Sequence, residues 1–248
     1  MNKLSILPTT LFVLLLTSLG LNVFLYRELK NTFISLYQTS LNPIGINRYN
    51  SDIPTAKVPK VVFFGDSRAY QWQAPANDNF QFINRGIGGQ TTGQILGRFE
   101  HHITPLKPNV IVLQMGVNDL RMLPSSSQTR AELVNNCQKN IAQIIERAQE
   151  IDATVIVTTL FPLSSDNVPL MYRPFWARVE DMEQDIIQVN QYLESFRDEV
   201  ILFDAYSLLT NEDPNKVKYY KDLLHINQTG YELLNQELEK ILLKTATN

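Results

Sequence analysis

The chain reads as an α/β protein: a parallel sheet covered by helices on both faces, preceded by an N-terminal transmembrane helix. Three observations predict this. Short apolar runs at 61–64, 80–83, 110–115, 154–160 and 200–203 alternate with helix-patterned stretches. Those runs are nearly continuously apolar rather than alternating, as expected of strands buried on both faces. Finally, residues 6–26 contain no charged side chain, whereas the remainder has an ordinary globular composition. With 248 residues, 44% hydrophobic and 19% charged, the chain can bury a full core, and one domain plus a terminal appendage fits the length.

Taken in order, the uncharged run is rich in Leu, Val and Phe, and about 20 helical residues span the roughly 30 Å hydrocarbon core of a bilayer. A cleaved signal peptide competes, because Ser18-Leu19-Gly20 is a passable small-x-small site. The apolar stretch continues beyond that site through Leu21, Val23, Phe24 and Leu25, which favours an uncleaved, single-pass anchor. No cysteine follows it, so a lipoprotein anchor is excluded. Lys3 on one side and Arg27 and Lys30 on the other do not fix the orientation; the catalytic domain is expected to be extracytoplasmic. Leu29, Phe33, Leu36 and Tyr37 recur at helical spacing, so the helix should continue as an amphipathic segment near the interface. Asn42-Pro43, Gly45, Pro54 and Pro59 then mark an extended linker. The expected organisation is an anchor over 1–27, a juxtamembrane segment and linker over 28–57, and a folded domain over 58–248. Few core contacts are expected before Val61, so a chain beginning near Ile53 should be soluble and active.

Within that domain the clearest helix is expected from about 129 to 150, where Thr129 and Glu132 form a capping box ahead of Leu133, Val134, Cys137, Ile141, Ile144 and Ile145. Cys137 in this stripe reads as a small buried hydrophobe rather than a reactive thiol. Further helices are expected over about 175–196 and 228–243.

Four short clusters lie at strand ends or helix starts: Gly65-Asp66-Ser67, Asn84-Arg85-Gly86-Ile87-Gly88-Gly89, Gly116-Val117-Asn118-Asp119 and Asp222-Leu223-Leu224-His225. Ligands in open parallel sheets bind outside the carboxyl ends of the strands, where the first three fall. Ser67 should start a helix whose dipole favours negative charge at its hydroxyl. A serine needs a neighbouring base at neutral pH, and His225, one of three histidines, supplies it, with Asp222 three residues earlier to orient the ring. His101 and His102 lack such a partner and read as surface or C-cap residues. Attack on an ester creates an oxyanion; the glycine-rich stretch offers accessible backbone N–H groups and Asn118 a side-chain amide. The plainer alternative makes each cluster a turn or cap.

Together and in this order, the four blocks resemble the SGNH hydrolase family, also called GDSL esterases and lipases, over roughly residues 61–231. The resemblance implies a three-layer α/β/α sandwich with a flavodoxin-like parallel sheet, Ser67 as nucleophile, Asp222 and His225 completing a triad, and an oxyanion hole from Ser67, Gly89 and Asn118. Asn227 and Gly230-Tyr231 also look like the family. It implies no metal and no organic cofactor. Arg68 and Gly88 depart from the commonest pattern, which leaves the pocket chemistry near Arg68 open.

A formal charge of −3 leaves no basic footprint, so nucleic acid is not an expected partner. One cysteine excludes an intramolecular disulfide framework and a cysteine zinc cage. Gly86 to Thr91 lacks the last glycine of a dinucleotide loop, and no P-loop lysine follows. The expected activity is therefore a membrane-anchored serine esterase acting on carbohydrate acetyl esters or on lipid or thioesters. A catalytically inactive binding module on the same fold is the alternative. Tyr70, Trp72, Trp176 and the 161–175 segment are candidates to shape the substrate pocket. Asn227-Gln228-Thr229 is formally a glycosylation sequon, discounted because a glycan there would obstruct His225.

Overall fold

The structure, a computed structural model, describes residues 6–49, 57–121, 128–164, 179–212 and 217–245. Two compact units divide the chain after Gly45. The first holds one continuous helix, α1 (Ile6–Leu41), with its large apolar side chains exposed along its length. The expected transmembrane run and its amphipathic continuation are thus a single helix, long and apolar enough to cross a membrane.

The second unit is built on five parallel strands: β1 (Lys60–Gly65), β2 (Gln81–Gly86), β3 (Val110–Gln114), β4 (Thr154–Thr158) and β5 (Ile201–Phe203), in spatial order β2-β1-β3-β4-β5. That is the flavodoxin-like order, and the strand expectations hold to within a few residues. The reason β1 reads as unbroken apolar sequence is visible in its alternation. Val62 and Phe64 join Ile111, Leu113, Val155 and Val157 in one core layer, while Val61 and Phe63 join Val110, Val112, Ile156 and Phe203 in the other. Every apolar residue of such a strand is buried, at about 1.5–3 kcal/mol each relative to exposure.

The first layer is covered by α3 (Thr92–Gly97), α4 (Phe99–His102), α6 (Arg130–Glu150) and α7 (Val179–Leu193). The second is covered by α8 (Ala205–Glu212) and α9 (Gln228–Thr245). Two short helices, α2 (Ser67–Tyr70) and α5 (Val117–Arg121), sit directly after β1 and β3. The capping box at Thr129 is formed as expected, its hydroxyl accepting from the Glu132 N–H while Glu132 accepts from the Thr129 N–H. Cys137 is buried in the α6 stripe and its thiol is pushed well up by burial.

Register places the motifs side by side. Gly65 pairs with Gly86 on β2 and with Gln114 on β3, so three strands end level and their loops share one edge. Only glycine fits at position 65: an added Cβ would lie 1.8 Å from the Gln114 carbonyl oxygen.

Residues 46–49 belong to the second unit. A short 3₁₀ turn, Ile46–Arg48, leads into Tyr49, which is half-buried against the domain. The stretch expected to be free linker therefore begins with folded contacts.

Candidate active site

Asp66 caps the turn after β1, its carboxylate accepting from the Arg68 N–H at 2.8 Å, and Ser67 follows at the first position of α2. Because α2 is a single turn, a helix dipole contributes little to Ser67; that part of the expectation does not survive the helix length. Ser67 is partly exposed while Asp66 and Arg68 are fully buried.

The Asp222–His225 block sits in a tight loop closed by the Lys221 N–H to His225 O bond and an antiparallel bridge between Tyr220 and Ile226. One carboxylate oxygen of Asp222 accepts from the backbone N–H groups of Leu224 and His225, both at 2.8 Å, an arrangement Asp favours in turns. The carboxylate also lies 2.9 Å from His225 Nδ1, and His225 Nε2 lies 3.0 Å from Ser67 Oγ. Burial pushes the Asp222 carboxyl upward, but these hydrogen bonds outweigh it and hold the group down at about 2. It is thus a carboxylate at neutral pH. With Nδ1–H directed to Asp222, Nε2 is left as an acceptor for the serine proton.

Gly88 and Gly89 are exposed on the loop after β2, and an added Cβ on Gly88 would come within 3.7 Å of Ser67 Cβ. Gly89 has φ +77°, a conformation that favours glycine. Asn118, in α5, is buried and donates one amide hydrogen to Gln90 O at 3.0 Å, which ties the third block to the loop of the second. Asp119 beside it accepts from both the N–H and the hydroxyl of Thr92.

Several residues with prominent positions were missed or misread in the sequence. Arg68 is not in the pocket: its buried guanidinium donates to Leu224 O at 2.9 Å and Phe161 O at 3.1 Å, stacking on the Phe161 ring. It thereby binds the Asp222–His225 loop to the Ser67 turn. Tyr231 donates to the Arg68 carbonyl at 2.7 Å, and Asn227 accepts from the Gly230 N–H as a cap on α9. A second buried arginine, Arg98, donates to Gly65 O, Arg85 O and Gln90 Oε1 at 2.8, 2.7 and 2.5 Å. An arginine in a helix pattern gives no sequence signal that it points inward. His102 is likewise no surface residue. It is buried, with one ring nitrogen 2.9 Å from Ile46 O and the other 3.3 Å from Arg98 Nη1, because residues 46–49 cover it. Burial holds its pKa down, consistent with a neutral ring accepting from Arg98.

Trp72 belongs to the core, packed on Phe63, Phe161 and Tyr231, with its indole N–H donated to Asn235. Tyr70 is half-exposed. Trp176 and the 165–178 stretch lie outside the described residues. Among the described residues no group of three or more His, Cys, Asp or Glu side chains could hold a metal ion.

A hydroxyl, a ring nitrogen and a carboxylate in one hydrogen-bonded line, beside a glycine loop and a buried amide, make up a hydrolase-type site. The chain belongs to the GDSL-like lipase/acylhydrolase family, whose model matches residues 58–233. Among solved structures it is similar to a GDSL-like lipase from Bacteroides thetaiotaomicron, with a TM-score of 0.66 and 24% identity over 82% of this chain and 98% of that one. It is similar also to an acetyl xylan esterase, AlAXEase, with a TM-score of 0.57 and 21% identity over 73% of this chain and 98% of that one. At those identities the likeness is one of fold. A curated relative, the uncharacterized lipoprotein YqeF of Bacillus subtilis (strain 168), is 27% identical over 124 residues, 43% of this chain. The chain spans about half the length of that relative.

Proposed function

We propose that the chain is a membrane-anchored serine ester hydrolase. The observation that carries this reading is the unbroken path from Ser67 Oγ through His225 to the Asp222 carboxylate, with contacts of 3.0 and 2.9 Å. Ser67 Oγ attacks the ester carbonyl as His225 Nε2 takes its proton. Asp222 holds the ring in the required tautomer and faces the imidazolium that forms. The Ser67 N–H, the Gly89 N–H and the free hydrogen of the Asn118 amide receive the oxyanion. The imidazolium then protonates the departing alcohol, leaving an acyl group on Ser67. Water, deprotonated by His225, then attacks that acyl group, and the carboxylic acid departs as the imidazolium returns its proton to Ser67 Oγ. Apart from substrate and water, every step uses groups of this chain.

The substrate class we propose is a carbohydrate acetyl ester or a lipid or thioester. Both a lipase and an acetyl xylan esterase share the fold, so acyl length is the property to measure. Anchoring through α1 is supported by its exposed apolar length and by a relative described as a lipoprotein. We place the catalytic domain on the extracytoplasmic side, as expected for polymer or envelope esters.

The test is hydrolysis of a series of aryl esters of increasing acyl length by wild-type protein and by Ser67→Ala. Activity that peaks at one acyl length and is abolished in Ser67→Ala supports the reading and selects the substrate class. Equal turnover by the two proteins would end the serine mechanism, and no turnover by either would favour the inactive binding module.

A further inference from the structure

The loop that carries the proposed oxyanion donor Gly89 has glycine at three of its four positions, 86 to 89. Such backbone is conformationally free, whereas oxyanion donors work by being fixed beforehand. Something must hold the loop. Its far end is held at Gln90, whose side chain accepts from Arg98 at 2.5 Å and whose carbonyl accepts from Asn118 at 3.0 Å. Its near end is Gly86, the last residue of edge strand β2. The Gly86 N–H donates to the Asn84 side chain at 2.8 Å, and the Gly86 carbonyl accepts from the Tyr49 hydroxyl.

Tyr49 is therefore an anchor of this loop that comes from outside the family-matching region, which begins at residue 58. Its ring is held by two contacts. It meets His102 edge-on with centroids 5.5 Å apart, and the Arg85 guanidinium lies 4.7 Å from its centroid. The preceding turn is tied down through the Ile46 carbonyl, 2.9 Å from His102 Nε2. His102 in turn contacts Arg98, so the two ends of the glycine loop are braced by one buried cluster.

We infer that Tyr49 is a positioning residue for the oxyanion loop, making the short segment just after the anchor helix part of the catalytic unit. The inference rests on the esterase reading above. The residue touches no substrate; it acts through the Gly86 carbonyl, and its hydroxyl is the group that matters.

The experiment uses full-length protein in detergent, comparing wild type, Tyr49→Phe and Tyr49→Ala on p-nitrophenyl acetate. Hydrogen exchange of the backbone over residues 86–90 is followed in parallel. Tyr49→Phe keeps the ring contacts and removes one hydrogen bond. It should lower kcat roughly three- to tenfold, leave KM within about twofold, and speed exchange at 86–90 but not in α6. Tyr49→Ala should exceed it in all three respects. A Tyr49→Phe protein with wild-type kcat and wild-type exchange would overturn the inference, as would a lowered melting temperature with kcat unchanged. Wild-type protein that neither hydrolyses the ester nor reacts with a fluorophosphonate would overturn the esterase reading, and this inference with it. Active wild type matched by Tyr49→Phe overturns this inference alone.

Discussion

At Asn118 one amide hydrogen goes to Gln90 O, which holds the side chain in place; in the proposed mechanism the other receives the oxyanion. Asn118→Ala should therefore lower kcat by roughly 10²–10³ with a smaller change in KM. Steady-state kinetics checks it, and a raised KM with unchanged kcat would make Asn118 a substrate-binding residue instead. Its neighbour Asp119 predicts a stability effect. Burial raises its carboxyl from the ordinary carboxylate range to about 6 in the folded protein, despite hydrogen bonds from Thr92. A raised folded pKa gives stability that is fully present below the unfolded value and lost as pH rises through about 6. Compared with Asp119→Asn, wild type should thus lose relative stability between pH ~4 and ~7, by on the order of 1–3 kcal/mol. Denaturant unfolding of both proteins at several pH values measures this; parallel curves would contradict it. Single residues were unevenly legible in the sequence. Ser67, Asp222 and His225 stand in short motifs whose chemistry can be read directly, and the structure brings them together. Arg68, Arg98 and His102 were not legible as buried, because each bonds a backbone carbonyl contributed by a distant segment.

Among the elements, strands and long helices were readable because continuous apolar runs and a 3.6-residue stripe leave a strong pattern. Of the short helices, the start of α2 at Ser67 follows from its place after β1, but neither its single-turn length nor the existence of α5 does, since four or five residues cannot display a period. They matter nonetheless, because they carry Ser67 and Asn118. The register of β1 against β3 allows a contrast between two glycines. Gly65→Ala would drive a Cβ into the Gln114 carbonyl and should cost about 3 kcal/mol or more, or prevent folding. Gly88→Ala meets only ordinary contact with Ser67 Cβ and should leave the melting temperature nearly unchanged. Thermal unfolding of the two variants decides whether the level ends of the strands are set as described.

For the whole molecule, the division after Gly45 defines where a soluble form should begin. A chain starting at Ile46 keeps the Ile46–His102 and Tyr49–Gly86 contacts; one starting near Ile53 loses both. The first should be soluble with the kcat of the full chain on a soluble ester. The second should be soluble but impaired at least to the extent expected of Tyr49→Ala. Equal kcat for the two would show that residues 46–52 are linker after all. Full-length protein, with the apolar length of α1, should stay with membranes through carbonate extraction. Recovery of free protein beginning at Leu21 would show a cleaved signal peptide. Proline and glycine spacing suggested a free linker, and composition alone could not reveal that its first residues fold back on β2.

The central claim is that Ser67 is a nucleophile activated by His225, and covalent labelling tests it most directly. Intact mass and peptide mapping after a fluorophosphonate should place one adduct on Ser67 in wild type, none in Ser67→Ala, and a greatly slowed one in His225→Ala. An adduct on another residue, or labelling of Ser67→Ala at the wild-type rate, would contradict the account.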